Sequence, residues 1–559
     1  MDQIPWWKKT IVYQIYPRSF YDSTGNGIGD LKGIISKLDY IKDLGVETVW
    51  FSPFYDSPQK DFGYDIRNYR EIALEYGTME DCERLIMEMH DRGMKIVLDL
   101  VLNHTSDQHT WFVQSRSSKD NPKRDWYIWR DGRKPLGKKP PNNWKAIIRG
   151  SGWHYDAQTD QWYWTQFLPF QPDLNYRNPE VQTEMLDIVR FWLEKGVDGF
   201  RLDIIDALFE DEKFRDNPCS FRLLPSEKSP DYLFQSKKYT QHHPDTLKFL
   251  KSLRSVIDEY SPTRFMVGEV TGPMFMLRKY CGDETNDGLN LVFLFKSLGI
   301  SLNTIKIRRL IQLYESFFSY PHIPTWVFSN HDRMRRISRL GGDIKKAKLN
   351  MALQLTVRGV PFIYYGEEIG MENHNLEIET SLDPVAHKFY KVPNFILMAI
   401  KKYLGESINR DECRTPMQWN SAQNAGFTKA EIDPWLPITP SYSERNVKIQ
   451  TENADSLLQC YKRFLKLRNT TPALNSGTIV IINSSELPSN VLSYIRSYSH
   501  GSEKQIAVIY LNISDDSLEF KNPHKYANFA ESTTVHTRNE KIKNVEIFLF
   551  PWEGVVYIA

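Results

Sequence analysis

Residues 196–206, Gly-Val-Asp-Gly-Phe-Arg-Leu-Asp-Ile-Ile-Asp, set an arginine and several carboxylates into an otherwise apolar run. Val197, Phe200, Leu202, Ile204 and Ile205 have the apolar character of a short buried strand, into which Asp198, Arg201, Asp203 and Asp206 intrude. A buried strand that ends on charge needs a reason. Either Arg201 and Asp203 neutralise each other structurally, or the strand end opens into a site that uses a charged carboxylate. What separates the two is whether other strand-like runs also end on chemistry-capable residues.

Several do. IVYQIY (11–16) and GVETVWFSP, with a strand at 45–52, precede MKIVLDLVLNH (94–104), which ends on Asp99, Asn103 and His104. Beyond the opening stretch come FMVGEV (265–270), ending on Glu269, then LNLVFLF (289–295), TWVFSNHD (325–332), ending on Asn330, His331 and Asp332, and PFIYYGEE (361–368). Helical patterns at 31–44, 79–92, 179–195, 245–260 and 344–357 alternate with these runs. Eight strands in alternation with helices predict an α/β protein built on a (β/α)8 TIM barrel, a fold whose active sites lie at the carboxyl ends of the strands.

The alternation breaks between about 105 and 171, where a stretch rich in Trp, Lys, Pro and Gly has no helical period. It reads as an irregular insertion domain after strand three. A second insertion, about 206–243, is rich in Pro, Ser and Lys, and after Asn373 the chain is mostly polar apart from FILMAI (395–400). A helix at 456–468 closes the barrel, and from about 477 the short alternating runs NVLSYIRSY, KQIAVIYLNI, NVEIFLF and GVVYIA predict a C-terminal antiparallel β-sandwich. The expected organisation is thus barrel at 1–104 and 174–475, insertion at 105–173 and β domain at 476–559.

Composition narrows the function. With 71 Lys+Arg against 70 Asp+Glu in 559 residues, no global field recruits nucleic acid or an anionic membrane. No run approaches the ~18 apolar residues of a spanning helix, and MDQIPWWKKT has no apolar signal core. A soluble, cytoplasmic protein with a small-molecule partner is expected, and nothing fixes its oligomeric state. The five cysteines, Cys82, Cys219, Cys281, Cys413 and Cys460, lack metal-ligand or CxxC spacing and read as free thiols. Aromatics at 13% suit sugar-stacking surfaces and a large core alike.

The loop 22–30, Asp-Ser-Thr-Gly-Asn-Gly-Ile-Gly-Asp, places oxygen-bearing side chains at Asp22, Thr24, Asn26 and Asp30. Alternating oxygens around a tight turn suit a hard cation such as calcium. A plain glycine turn capping the next helix is the other reading.

Asp203, Glu269 and Asp332 stand at the ends of three different strands. An ionised carboxylate and a protonated carboxylic acid flanking one bond are what glycosidic cleavage needs. Arg201 lies two residues before Asp203, on the same strand face, where it can keep that aspartate ionised. Gly268 and Val270 give Glu269 apolar neighbours that favour the protonated acid. Structural salt bridges at a barrel mouth, or a metal held by His104, His331 and these carboxylates, are the competing readings.

DLVLNH (99–104), GFRLDIID (199–206), VGEV (267–270) and FSNHD (328–332) resemble, in order and spacing, the four signature regions of the α-amylase superfamily of glycoside hydrolases. GYDI (63–66), QPDLN (171–175), PFIYYGEEIGM (361–371) and RTPMQW (414–419) resemble its α-glucosidase and oligo-1,6-glucosidase branch. The resemblance spans about residues 5–475 and, less sharply, the β tail. It implies Asp203 as nucleophile, Glu269 as general acid/base and Asp332 as the third carboxylate, which grips and distorts the sugar. It further implies that Asp65, His104, Arg201, His331 and Arg414 hydrogen-bond a terminal glucose stacked on Tyr64. Asp65 with Arg414 would close the pocket end and make cleavage exo-acting, while Phe167 and Gln171 line the entrance.

The implied activity is that of a retaining exo-α-glucosidase acting on short α-1,4- or α-1,6-glucosides, with transglucosylation as a companion reaction. A glucosyl transferase or a trehalose- or sucrose-converting isomerase is the alternative, and a non-catalytic relative like the ectodomains of transporter heavy chains is a remote one. The resemblance also implies a structural Ca2+ on Asp22, Thr24, Asn26, Ile28 and Asp30, although related loops usually carry Asn and Asp where Thr24 and Asn26 stand. Two further departures bear on specificity. RTPMQW is followed by Asn420 rather than the usual Asp, and Asp203 by Ile204, where valine accompanies α-1,6 preference and threonine or a small residue α-1,4. The bulky Ile204 leans towards α-1,6, whereas FRDNP (214–218) looks more like α-1,4-acting enzymes.

Overall fold

The computed structural model describes residues 4–559 except 134–136, 149, 223–228, 230, 232–233, 394, 396, 398–407, 483–485, 525 and 536–545. Its central strands are β1 (Val12–Ile15), β2 (Thr48–Phe51), β3 (Lys95–Val101), β4 (Gly199–Asp203), β5 (Phe265–Gly268), β6 (Leu291–Val292), β7 (Thr325–Val327) and β8 (Val360–Tyr364). They form one parallel sheet in the order β6-β5-β4-β3-β2-β1-β8-β7. At the remaining seam hydroxyls replace ladder bonds. Leu294 N–H donates to Thr325 Oγ1 (2.9 Å), Thr325 Oγ1 to Val292 O (2.8 Å) and Ser297 Oγ to Val327 O (2.8 Å).

Period-two alternation explains where the site lies. Val12, Trp50, Val97, Val267, Val327 and Phe362 pack into one cluster inside the barrel, while intervening residues such as Tyr13, Val49 and Leu98 pack outward beneath the helices. Two residues further along the inward face the chain turns polar: Gln14, Ser52, Asp99 and Glu269 follow Val12, Trp50, Val97 and Val267. In β4 the corresponding residues are Arg201 and Asp203, in register with Asp99 and Val101 of β3.

The helices begin at local signals. Met79–Asp91 starts on a reciprocal Thr78/Asp81 capping box, Pro179–Glu194 on Asn178 with Pro at its first turn, and Leu457–Thr470 on Ser456. The continuous helix expected at 31–44 is two, Leu31–Ile35 and Leu38–Leu44, because the chain turns at Ser36, whose hydroxyl bonds Gly33 O at 2.7 Å. Met274–Tyr280 and Thr304–Phe317 complete the alternation. The second shows its apolar stripe at Ile307, Leu310, Ile311 and Tyr314, a helical spacing that the sequence expectation does not include. The run 395–400 lies largely outside the described residues.

Between β3 and β4 the insertion carries a three-stranded sheet made of Trp129–Arg130, Gln161–Trp164 and Trp153–Asp156, backed by Trp144, Trp153 and Trp164. An antiparallel bridge from His104 to Asp173 ties its two ends together. At the C-terminus Thr478–Ile481, Val491–His500, Glu503–Asn512, Gly554–Ile558 and Asn528–Ser532 make an antiparallel sheet in that order. The pair Leu518–Lys521 and Glu546–Leu549 packs over it through Phe520, Ile547 and Leu549. All five cysteines are free thiols, and only Cys219 is exposed.

Candidate active site

Arg201 is the centre of the polar strand ends. Its guanidinium, 1% exposed, donates from Nη1 to Asp99 Oδ1 (2.9 Å) and Asp203 Oδ1 (2.6 Å), and from Nη2 to Glu269 Oε2. The ring of Trp50 lies beneath it and also donates Nε1–H to Asp99 Oδ2 at 3.2 Å. One cation thus faces three carboxyls, with Asp99 and Asp203 buried and Glu269 partly exposed. Burial raises Asp203 well above the ordinary carboxylate range, with Arg201 opposing and Glu269 adding to the rise. Burial also pushes Glu269 up to about 7, again against Arg201. A single guanidinium cannot neutralise all three carboxyls, so Asp203 and Glu269 are both raised and titrate as a pair.

Asp332 lies at the opposite extreme. Although burial disfavours its charge, His331, Arg410, Arg414 and Arg201 hold it far below the usual range. Arg414 Nη2 reaches Asp332 Oδ1 at 2.8 Å and Arg410 Nη1 reaches it at 3.3 Å. His331 is buried, and its value falls to about 3 for that reason. Gln14 Nε2 donates to its Nδ1 (2.7 Å), leaving the Nε2–H to face Tyr64 OH (2.7 Å) and Asp332 Oδ2 (3.2 Å). Tyr64 donates its own O–H to Asp99 Oδ2 at 3.0 Å, and its ring stacks on His331 with an interplanar angle of 5°.

The pocket end differs from expectation. Asp65 accepts from Ser57 Oγ (3.1 Å), Lys60 N–H (3.0 Å) and Asp61 N–H (3.0 Å), so it braces its own loop. Arg414, fully buried, is held by His331 O at 2.8 Å and serves Asp332 rather than Asp65. The pair that meets here is Asp61 and Arg410, at 2.7 Å, with Asp383 on the same guanidinium at 2.7 Å. Left-handed φ angles of 48° at Phe62 and 104° at Gly63 double the loop back, so that Tyr64 N–H donates to Asp61 O at 3.1 Å. A Cβ at Gly63 would stand 2.6 Å from Pro53 O. Asp99 opens the DLVLNH signature, but Asp61, Arg410, Asp383 and Gln14 carry no motif of their own in the sequence expectation. Only the inward phase of Gln14 and the charge density of NRDECR (409–414) hinted at them.

Gln171 joins this end, donating Nε2–H to Asp61 Oδ2 at 3.1 Å. Phe167 lies 5.3 Å, ring to ring, from His104, which faces Tyr64 O (3.1 Å) and Asn103 Oδ1 (2.9 Å). After Asp203 the chain turns at Ile204 in the left-handed region (φ 33°, ψ 55°), costly for a β-branched residue, and Ile205 N–H then donates to Glu269 O at 3.2 Å.

The α-amylase catalytic domain family matches residues 14–477. The chain belongs to the α-amylase family. It is 40% identical over 533 residues to a probable α-glucosidase of Rhizobium meliloti (strain 1021), covering 93% of this chain and 91% of the relative. It is 39% identical over 542 residues to an oligo-1,6-glucosidase of Heyndrickxia coagulans, covering 93% and 94%. The crystal structure of the α-glucosyl transfer enzyme XgtA superposes over 100% of both chains with a TM-score of 0.87 at 36% identity. This α-amylase family member is a glycoside hydrolase of α-glucosidase type.

In this member of the family the loop 22–30, expected as a calcium shell, is hydrogen-bonded within itself. Asp22 accepts from Thr24 N–H and Oγ1–H, Gly25 N–H, Gly27 N–H and Thr428 Oγ1–H. Asp30 accepts from Ser23 N–H and Oγ–H, Thr24 N–H and Gly33 N–H. Thr24 spends its hydroxyl on Asp22, and Asn26 Oδ1 accepts Ile28 N–H at 2.8 Å. The carboxylate oxygens of this loop accept hydrogen bonds from its own donors and from Thr428. Both carboxylates are needed by the backbone itself, Asp30 as the cap of Leu31–Ile35.

Proposed function

We propose that the chain is a retaining, exo-acting α-glucosidase for short α-glucosides, with Asp203 as nucleophile, Glu269 as acid/base and Asp332 as the charge that grips the bound glucose. The observation that carries this reading is the arrangement of three carboxyls at the strand ends. Asp332 is paired with two arginines, while Asp203 and Glu269 share one guanidinium. Sharing a guanidinium makes the two carboxyls neighbours, as a retaining pair requires.

In the productive state the proton is on Glu269. Asp203 attacks the anomeric carbon as Glu269 protonates the leaving oxygen, giving a glucosyl ester and a free alcohol. Water then gives its proton to Glu269 and its oxygen to the anomeric carbon, releasing Asp203. Positive charge developing on the ring lies near ionised Asp332. The Asp61–Arg410 pair shuts one end, which favours a terminal residue over an internal one. Glucose release from maltose, isomaltose and sucrose by the purified protein, lost by at least about 10⁴-fold in Asp203→Asn with the fold kept, tests the reading. Wild-type rates in that variant would end it.

A sugar hydroxyl can replace water in the second step. The likeness to the α-glucosyl transfer enzyme favours that branch, and product analysis at high acceptor concentration separates the two.

A further inference from the structure

The chain just beyond Asp203 leaves its sheet in an uncommon way. Strand β4 runs parallel to β5 with Leu202 opposite Gly268, and Glu269 N–H continues the ladder by donating to Leu202 O at 2.9 Å. The next rung of a parallel ladder would bring the N–H of Ile204 to Glu269 O. Ile205 N–H makes that bond instead, at 3.2 Å, one residue late. Ile204 is therefore the extra residue of a bulge, and it takes up the slack at φ 33° and ψ 55°. A β-branched side chain disfavours that left-handed conformation, which persists only where the surroundings impose it.

The imposing group is Asp206, buried three residues after Asp203. Its Oδ2 accepts the N–H of Thr271, two residues after Glu269, at 2.8 Å, and its backbone carbonyl accepts His242 N–H at 2.7 Å. The carboxyl thus joins the loop after β4 to the loop after β5. The carbonyl joins the same turn to the segment that leads into the helix Pro244–Asp258. His242 Nε2 stands 3.9 Å from that Oδ2, and its Nδ1 faces Tyr280 OH at 3.2 Å.

We propose that Asp206 is a positioning residue: by tying the left-handed turn at Ile204 to Thr271, it fixes how the Asp203 carboxyl stands relative to that of Glu269. This rests on the reading of those two as nucleophile and acid/base. In a retaining displacement one carboxyl attacks while the other protonates the leaving oxygen, so both must be in place at the same instant. A misplacement of about 1 Å costs about 10²-fold in rate. Ground-state binding leans on other elements, since Asp332, His331 and the Asp61–Arg410 pair lie outside the two tethered loops. Loss of the tether is therefore felt in kcat rather than in KM.

The test compares Asp206→Ala, which cannot reach Thr271 N–H, with Asp206→Asn, whose amide oxygen can, each alone and combined with Ile204→Gly. Glycine adopts the left-handed turn without strain and depends less on the tether. On a disaccharide that wild type cleaves, Asp206→Ala should lower kcat about 10²-fold with KM within about threefold, and Asp206→Asn should stay within about fivefold of wild type. Combination with Ile204→Gly should shrink the Asp206→Ala loss, in kcat and in melting temperature, by at least about threefold. A kcat for Asp206→Ala within about threefold of wild type, equal damage from Asp206→Asn, or the same loss in both backgrounds would overturn the proposal. Hydrogen exchange of wild type covers the case of a variant that does not fold. Peptides spanning 203–207 and 268–272 should exchange as slowly as β4 itself, and exchange at the rate of an open loop would also overturn the proposal. The exchange and melting arms need no substrate. Failure of the α-glucosidase reading shows as no glucose release by wild type, whereas failure of the tether shows in those two arms.

Discussion

Glu269→Gln separates proton donation from every other role of the site. The variant keeps the size of the side chain and a hydrogen-bonding group near Arg201, and it removes only the transferable proton. General acid catalysis contributes roughly 10²–10⁴-fold when the leaving group is a sugar oxygen. The same proton matters far less for an aryl glucoside whose phenolate departs unaided. Expected, then, is a loss in kcat/KM of about 10²–10⁴-fold on maltose or isomaltose and under about tenfold on the aryl glucoside. The aryl substrate should also show a burst, because the second step has lost its base.

The pH profile gives a second magnitude. Burial sets Glu269 at about 7, raised from its ordinary value, so the active, protonated form is present in acid and lost as pH rises through about 7. Between about pH 6 and about pH 8 the protonated fraction falls roughly tenfold, and wild-type kcat/KM on a disaccharide falls with it. In Glu269→Gln that limb disappears from the residual rate. Equal losses on both substrate classes, or an alkaline limb unchanged in the variant, would refute the assignment.

Arg410→Met strands buried Asp61 and Asp383 without their cation, which costs about 3–5 kcal/mol of stability in chemical denaturation and raises KM for terminal glucose. A variant as stable as wild type would show that the pair is solvated and does not close the pocket. Ile204→Thr should lower the ratio of kcat/KM on isomaltose to that on maltose. An unchanged ratio would remove Ile204 from linkage selection. Chelation by EDTA should leave melting temperature and activity where they were, since the loop 22–30 satisfies Asp22 and Asp30 with its own donors. A chelator-induced drop would mean that the loop rebuilds around a cation.

What was legible in the chain was periodicity and order. Alternating β and α runs with polar strand ends imply a barrel and place Asp203, Glu269 and Asp332 at one mouth, because side-chain direction along a strand follows from position alone. Local capping signals likewise mark helix starts such as Thr78 and Asn178. Pairing across the mouth is not local. Asp61 meets Arg410 across 349 positions and Gln14 meets His331 across 317, distances over which no spacing rule operates. The GYDI resemblance points to Asp65, and only the left-handed turn at Phe62 and Gly63 gives the place opposite Arg410 to Asp61 and leaves Asp65 on the backbone of its own loop. The alternating oxygens of the loop 22–30 suggested a cation in the same way. Composition counts acceptors, but only the folded loop shows which donors already occupy them. The opening run GVDGFRLDIID therefore determined by itself that a charged strand end exists. That Arg201 answers three carboxyls rather than one was decided by β3 and β5 on either side of it.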